Sequence, residues 1–81
     1  MSYHVADGLY PSRHSALVYL VGTYYMDYKS LSEADPDEAL ADLRLEGWTD
    51  GFASKYGEVT DCELGEAIRD AIEQANDYLN G

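Results

Sequence analysis

Positive charge is what this sequence has least of. Its 81 residues hold five Lys and Arg against 16 Asp and Glu, a formal net charge of −11. Proteins that grip DNA or RNA need Lys and Arg to displace counterions from phosphates, so this composition excludes a generic nucleic-acid-binding module. An anionic membrane surface is disfavoured for the same reason. Cysteine is nearly absent: Cys62 stands alone, so no internal disulfide forms and nothing points to an oxidising compartment. There is no internal repeat, no low-complexity tract and no linker rich in Pro, Gly or Ser. The longest apolar run, Ala16 to Val21, falls far short of the roughly 20 residues a spanning helix takes. Residues 1 to 7 lack the basic region and apolar stretch of a signal peptide. Together these absences imply a soluble, cytoplasmic protein.

The parts of a catalytic site are missing as well. His4, His14 and Cys62 are the only imidazole or thiol ligands, and their spacing matches no zinc pattern. No loop alternates acids with glycine as an EF-hand does. No Gly-rich phosphate loop or nucleophile elbow is present. Carboxylate pairs abound, but a catalytic acid needs a buried setting that raises its pKa. The expectation is a protein that is not an enzyme and carries no cofactor or metal.

What the chain does contain is enough to fold: 46% of residues are hydrophobic and 12% aromatic, well above a disordered acidic tail. At 9.0 kDa it makes one small domain with a modest core. Residues 1–11 read as an irregular arm or short extended segment, with Asp7-Gly8 a turn signal and Pro11 a stop. Ser12 caps a first predicted helix over 12–28, with Leu17, Leu20, Val21, Tyr24 and Tyr28 at helical spacing. The β-branched and aromatic residues of 16–28 also suit a strand. A second helix over 36–56 opens on Asp35-Pro36-Asp37-Glu38 and stops at Gly57. A third, over 61–79, opens on the capping box Thr60-Asp61-Cys62-Glu63. Its apolar face is Leu64, Ile68, Ala71, Ile72, Ala75 and Leu79. The fold class expected is all-α, a small three-helix bundle with an irregular N-terminal arm, or α+β should 16–28 form a strand.

The most informative pattern lies on the third helix. Glu63, Glu66, Asp70, Glu73 and Asp77 are spaced 3, 4, 3, 4, which places them in a band about 80° wide, away from the apolar face. Like charges at these spacings repel by a few tenths of a kcal/mol per pair, and only Arg69 is near enough to relieve them. The helix rises about 5 Å per step of the pattern, so the line resembles a row of backbone phosphates. A solvated face that keeps the protein soluble, or adaptation to high salt, explains the same acids without a partner.

On the second helix Ala41, Leu45, Trp48, Phe52 and Tyr56 form an aromatic side, and Gly47 and Gly51 are four apart, as for close approach of another backbone. That side reads as core, or as an exposed anchor for a partner. Eight tyrosines, four of them (Tyr19, Tyr24, Tyr25 and Tyr28) in the first predicted helix, exceed what a core this size can hide. Beside carboxylates they suit an interface that meets Arg and Lys. The candidate partner-binding residues are therefore the five acids of the stripe with Asp42, Glu46, Asp50, Tyr25 and Trp48.

A very small, acidic, Tyr-rich chain with this stripe and no cofactor motif resembles phage-encoded anti-CRISPR proteins and other DNA-mimic inhibitors. The resemblance is one of size, acidity and charge pattern. It implies a non-enzymatic inhibitor in the host cytoplasm that blocks the DNA-binding surface of a CRISPR effector complex or another basic nucleic-acid-handling protein. Tyr24-Tyr25-Met26-Asp27 is similar in logic to the adjacent tyrosines and acids of colicin immunity proteins, which implies inhibition of a nuclease. The flanking acids and proline of that family are missing here. A competing class is a small structural or assembly protein, of phage or halophile origin, that forms a homodimer through the aromatic side of the second helix.

Overall fold

Five helices follow a short hairpin in a computed structural model that describes residues 2–5 and 8–81. β1 (Tyr3–Val5) and β2 (Gly8–Tyr10) are antiparallel, with Tyr3 opposite Tyr10, His4 opposite Leu9 and Val5 opposite Gly8. The expected irregular arm is thus a two-stranded sheet, pinned by burial of Val5 and by the His4 N–H, which donates to the Tyr56 hydroxyl at 2.7 Å. Asp7 of the expected turn lies outside the described residues.

Residues 16–28 form no strand. Ser12 caps α1 (Arg13–Tyr25) by accepting from the Ser15 N–H. The first predicted helix, however, ends three residues early. Met26 turns left-handed at φ 70°, its N–H closing on the Gly22 carbonyl, and Asp27 then caps a separate short helix, α2 (Tyr28–Ser32). The expected second helix is also divided. α3 (Pro36–Leu45) starts as the Asp35-Pro36 signal requires. It stops where Gly47 adopts φ 66°, and α4 (Asp50–Tyr56) restarts the chain in a new direction up to Gly57 at φ 99°. Gly47 is therefore a turn residue and not a contact for another backbone. A Cβ added at Gly51 would meet nothing within 4 Å, so neither glycine serves the close approach expected of them. The break also splits the aromatic side: Leu45 is exposed, Phe52 is buried and Tyr56 lies between.

α5 (Asp61–Asn80) opens with the full capping box, Thr60 accepting from the Glu63 N–H and Glu63 from the Thr60 N–H. It is the axis of the molecule, and α1, α2 and α3 all pack on it. Leu64, Ala67, Ile68, Ala71 and Ala75 are buried along it. The three alanines keep the surface low, which lets neighbouring helices approach closely. Leu17, Val21, Leu31, Leu43, Phe52 and Val59 complete the core, each full-sized side chain contributing about 1.5–3 kcal/mol by burial. Leu79, expected on the apolar face, is half-exposed beyond the reach of that core. The described residues are mostly helical with a small N-terminal sheet, and no helix among them is long and apolar enough to cross a membrane.

Candidate functional site

The few cations decide where the acids are free. Arg13, in the first turn of α1, reaches the connection between α4 and α5. Its guanidinium donates to both carboxylate oxygens of Glu63 at 3.0 and 2.9 Å, and to the carbonyls of Tyr56, Gly57 and Glu58 at 2.8, 3.2 and 2.6 Å. Arg44, near the end of α3, grips the same connection from its other side. It donates to the Val59 carbonyl, to Asp61 at 2.9 and 3.1 Å, and to the buried hydroxyl of Thr49. Two of the five Lys and Arg are thus spent on one corner of the fold, where they satisfy four consecutive carbonyls.

The corner consumes part of the predicted stripe. Glu63 is half-buried, and the hydrogen bonds from Arg13, opposed by some loss of solvent, hold its carboxyl below the ordinary value. Asp70 is taken by His14, whose Nε2 lies 2.5 Å from Oδ2. Both acids sit on the edge of the band nearest α1, and adjacent residues of α1 hold them. The other three, Glu66, Glu73 and Asp77, are exposed with no hydrogen-bond or ion-pair partner among the described residues. The stripe is therefore divided lengthwise into an inner edge that staples the fold and an outer edge open to solvent.

A second group forms around Tyr25. Loss of solvent and then the carboxylate of Asp42, with a smaller share from Glu38, raise the Tyr25 hydroxyl above its ordinary value. Asp42 is a predicted partner residue; Glu38, one turn earlier on α3, completes the rim. Trp48 lies beside them on the α3–α4 turn. Its Nε1 donates to the Leu20 carbonyl at 2.8 Å, and its ring meets Tyr24 edge-on at 5.2 Å between centroids. At 38% exposure it is both anchored and visible. Glu46 and Asp50 flank the same turn and are exposed. The predicted set thus resolves into the outer edge of α5 and an acid-rimmed aromatic patch on the α1–α3 side.

Among the described residues, no group of three or more His, Cys, Asp and Glu is placed to hold a metal, and no buried polar side-chain atom lacks a partner. Cys62 is free and exposed. A groove of about 550 Å³ lies between α1, α2 and α5, with Tyr10 of β2 among its lining residues. Nothing in the sequence reading singled it out. A signal that could have found its lip is Asp27-Tyr28-Lys29-Ser30, which carries the spacing of a helix cap, but the groove needs α2 to stand apart from α1. Arg13 and His14 were missed because their partners lie 50 and 56 residues away. No protein family, curated protein or solved structure matches this chain.

Proposed function

We propose that this protein is a non-enzymatic inhibitor that docks on the basic, nucleic-acid-binding surface of another protein, in the manner of the anti-CRISPR DNA mimics it resembles. One observation carries the reading: two arginines are committed inside the fold, while Glu66, Glu73 and Asp77 stay exposed and without a partner among the described residues. A merely solvated helix face relieves such a line with interleaved Lys. This one has only Arg69, off to the side. The outer edge of α5 meets Arg and Lys in the nucleic-acid path of the target. Asp42, Glu46 and Asp50 extend the acidic field, and Tyr25 and Trp48 supply contact area that is less sensitive to salt.

The test is capture from a host lysate with immobilised protein, followed by competition with DNA. A nuclease or CRISPR effector complex that is retained, and displaced by DNA, supports the reading. Replacing Glu66, Glu73 and Asp77 together by Gln, Gln and Asn is expected to reduce capture at least tenfold and to flatten its salt dependence. Undiminished capture by that triple variant sinks the assignment to α5. Asp70, which an intact-stripe design would include, is left alone because its loss disturbs His14.

A further inference from the structure

The groove between α1, α2 and α5 holds three tyrosines from three elements: Tyr10 from β2, Tyr19 from α1 and Tyr28 from α2. Tyr10 and Tyr19 meet at 5.0 Å, and Tyr28 is braced by stacking on Tyr78 at 4.2 Å. Between these ends the wall is apolar, with Val18, Leu31 and Ala71. Gly22 leaves its floor open, since a Cβ there would meet nothing within 4 Å. Asp27 stands at the lip, its carboxyl held below the ordinary value chiefly by the Ser30 N–H it caps. No Lys or Arg lines the groove among the described residues.

Met26, also at the lip, is 88% exposed and left-handed, a conformation that costs a residue with a Cβ about 1–2 kcal/mol. Glycine would occupy the position without that cost; Met26 instead places a flexible thioether at the lip. From Ser15 to Met26 the groove follows about 16 Å of α1. An extended peptide would bring an N–H and a C=O per residue, each needing a partner. Most of the lining's polar side chains are already engaged within the fold, Ser15 with Ser12, His14 with Asp70, Thr23 with the Leu20 carbonyl and Asp27 with Ser30, while Gln74 makes no hydrogen bond among the described residues.

We propose that this groove binds a small organic cation with a linear apolar body, its ammonium head between Asp27 and Tyr28 and its chain running past Gly22 towards Tyr10 and Tyr19. The head gains a carboxylate and a ring face, the chain gains an apolar channel with no polar group to satisfy, and the excess of acids draws cations to the site.

The experiment is calorimetric titration of the whole protein with octyltrimethylammonium below its micelle concentration, beside octyl sulfate and octanol. The expected result is one saturable site for the cation and none for the sulfate. Asp27→Asn keeps the helix cap, because Asn caps as well as Asp, and is expected to weaken binding about tenfold. Gly22→Leu fills the channel from a position with room for it and is expected to abolish binding while helical circular dichroism is retained. Equal binding of octanol and the cation, binding undiminished in Gly22→Leu, or no saturable site in the wild type overturns the proposal. The site is independent of the outer edge of α5, so the Glu66, Glu73, Asp77 variant is expected to bind the cation with at most a few-fold loss.

Discussion

The two edges of α5 carry carboxylates from the same helical pattern and put them to opposite uses. On the inner edge Glu63 faces Arg13 and Asp70 faces His14, so both carboxylates are engaged with α1. On the outer edge Glu66, Glu73 and Asp77 face water. The difference does not come from spacing, which is continuous across all five. It comes from α1, which lays a basic residue against one edge only. An acid's position on a helix wheel sets its direction; what arrives from elsewhere in the chain sets its role.

The contrast breaks most severely at Arg13. Arg13→Met strands Glu63 and removes the donor from three carbonyls, an expected loss of about 2–4 kcal/mol. That is a fall in Tm of at least 8 °C for a domain of this size, read by thermal circular dichroism. Next comes Gly47→Ala. A Cβ at φ 66° is strained, and it would lie 2.9 Å from Asp50 Oδ2. The expected cost is about 1–2 kcal/mol, because the turn that aims Arg44 at the corner is disturbed.

Acid sharpens the comparison further. The Glu63 carboxyl is held low in the folded state, so its contribution is complete above the unfolded value of about 4.3 and lost as pH falls through the lower folded value. Denaturant melts between pH 6 and 2 are expected to show wild type losing more stability below about pH 4.3 than Glu63→Gln. The smallest effect belongs to the outer edge. Glu66→Gln, Glu73→Gln and Asp77→Asn together relieve repulsion and are expected to leave Tm unchanged or raise it by a degree or two, at a few tenths of a kcal/mol per pair. A large fall in Tm would mean that the outer edge, too, holds the fold together.

Local signals and long-range ones were not equally legible. Thr60-Asp61-Cys62-Glu63 and Asp35-Pro36 marked helix starts because capping depends on residues three or four apart. The breaks at Met26 and Gly47 were hidden for different reasons. A left-handed Met carries no signal, since glycine is the expected residue there. Gly47 read as a packing contact because it stands four residues before Gly51, and the structure uses it as a turn. The hairpin depends on strands of three residues, too short for alternation to register. For the candidate site, the acids of α5 and their common face followed from periodicity. Which of them would be neutralised did not, because Arg13 reaches Glu63 across 50 residues of intervening chain.

That separation gives the corner a role in time. Arg13 is joined to residues 43 to 50 positions away, so its bonds form only after most of the chain has closed on itself and after α3, α4 and the start of α5 have local reasons to exist. Interactions absent from the folding transition state govern how fast the native state is left, and hardly affect how fast it is reached. The Arg13 corner is thus expected to act as a latch on the folded protein, with Arg13→Met speeding unfolding more than it slows folding in stopped-flow measurements, and so to set how long the outer edge of α5 stays presented.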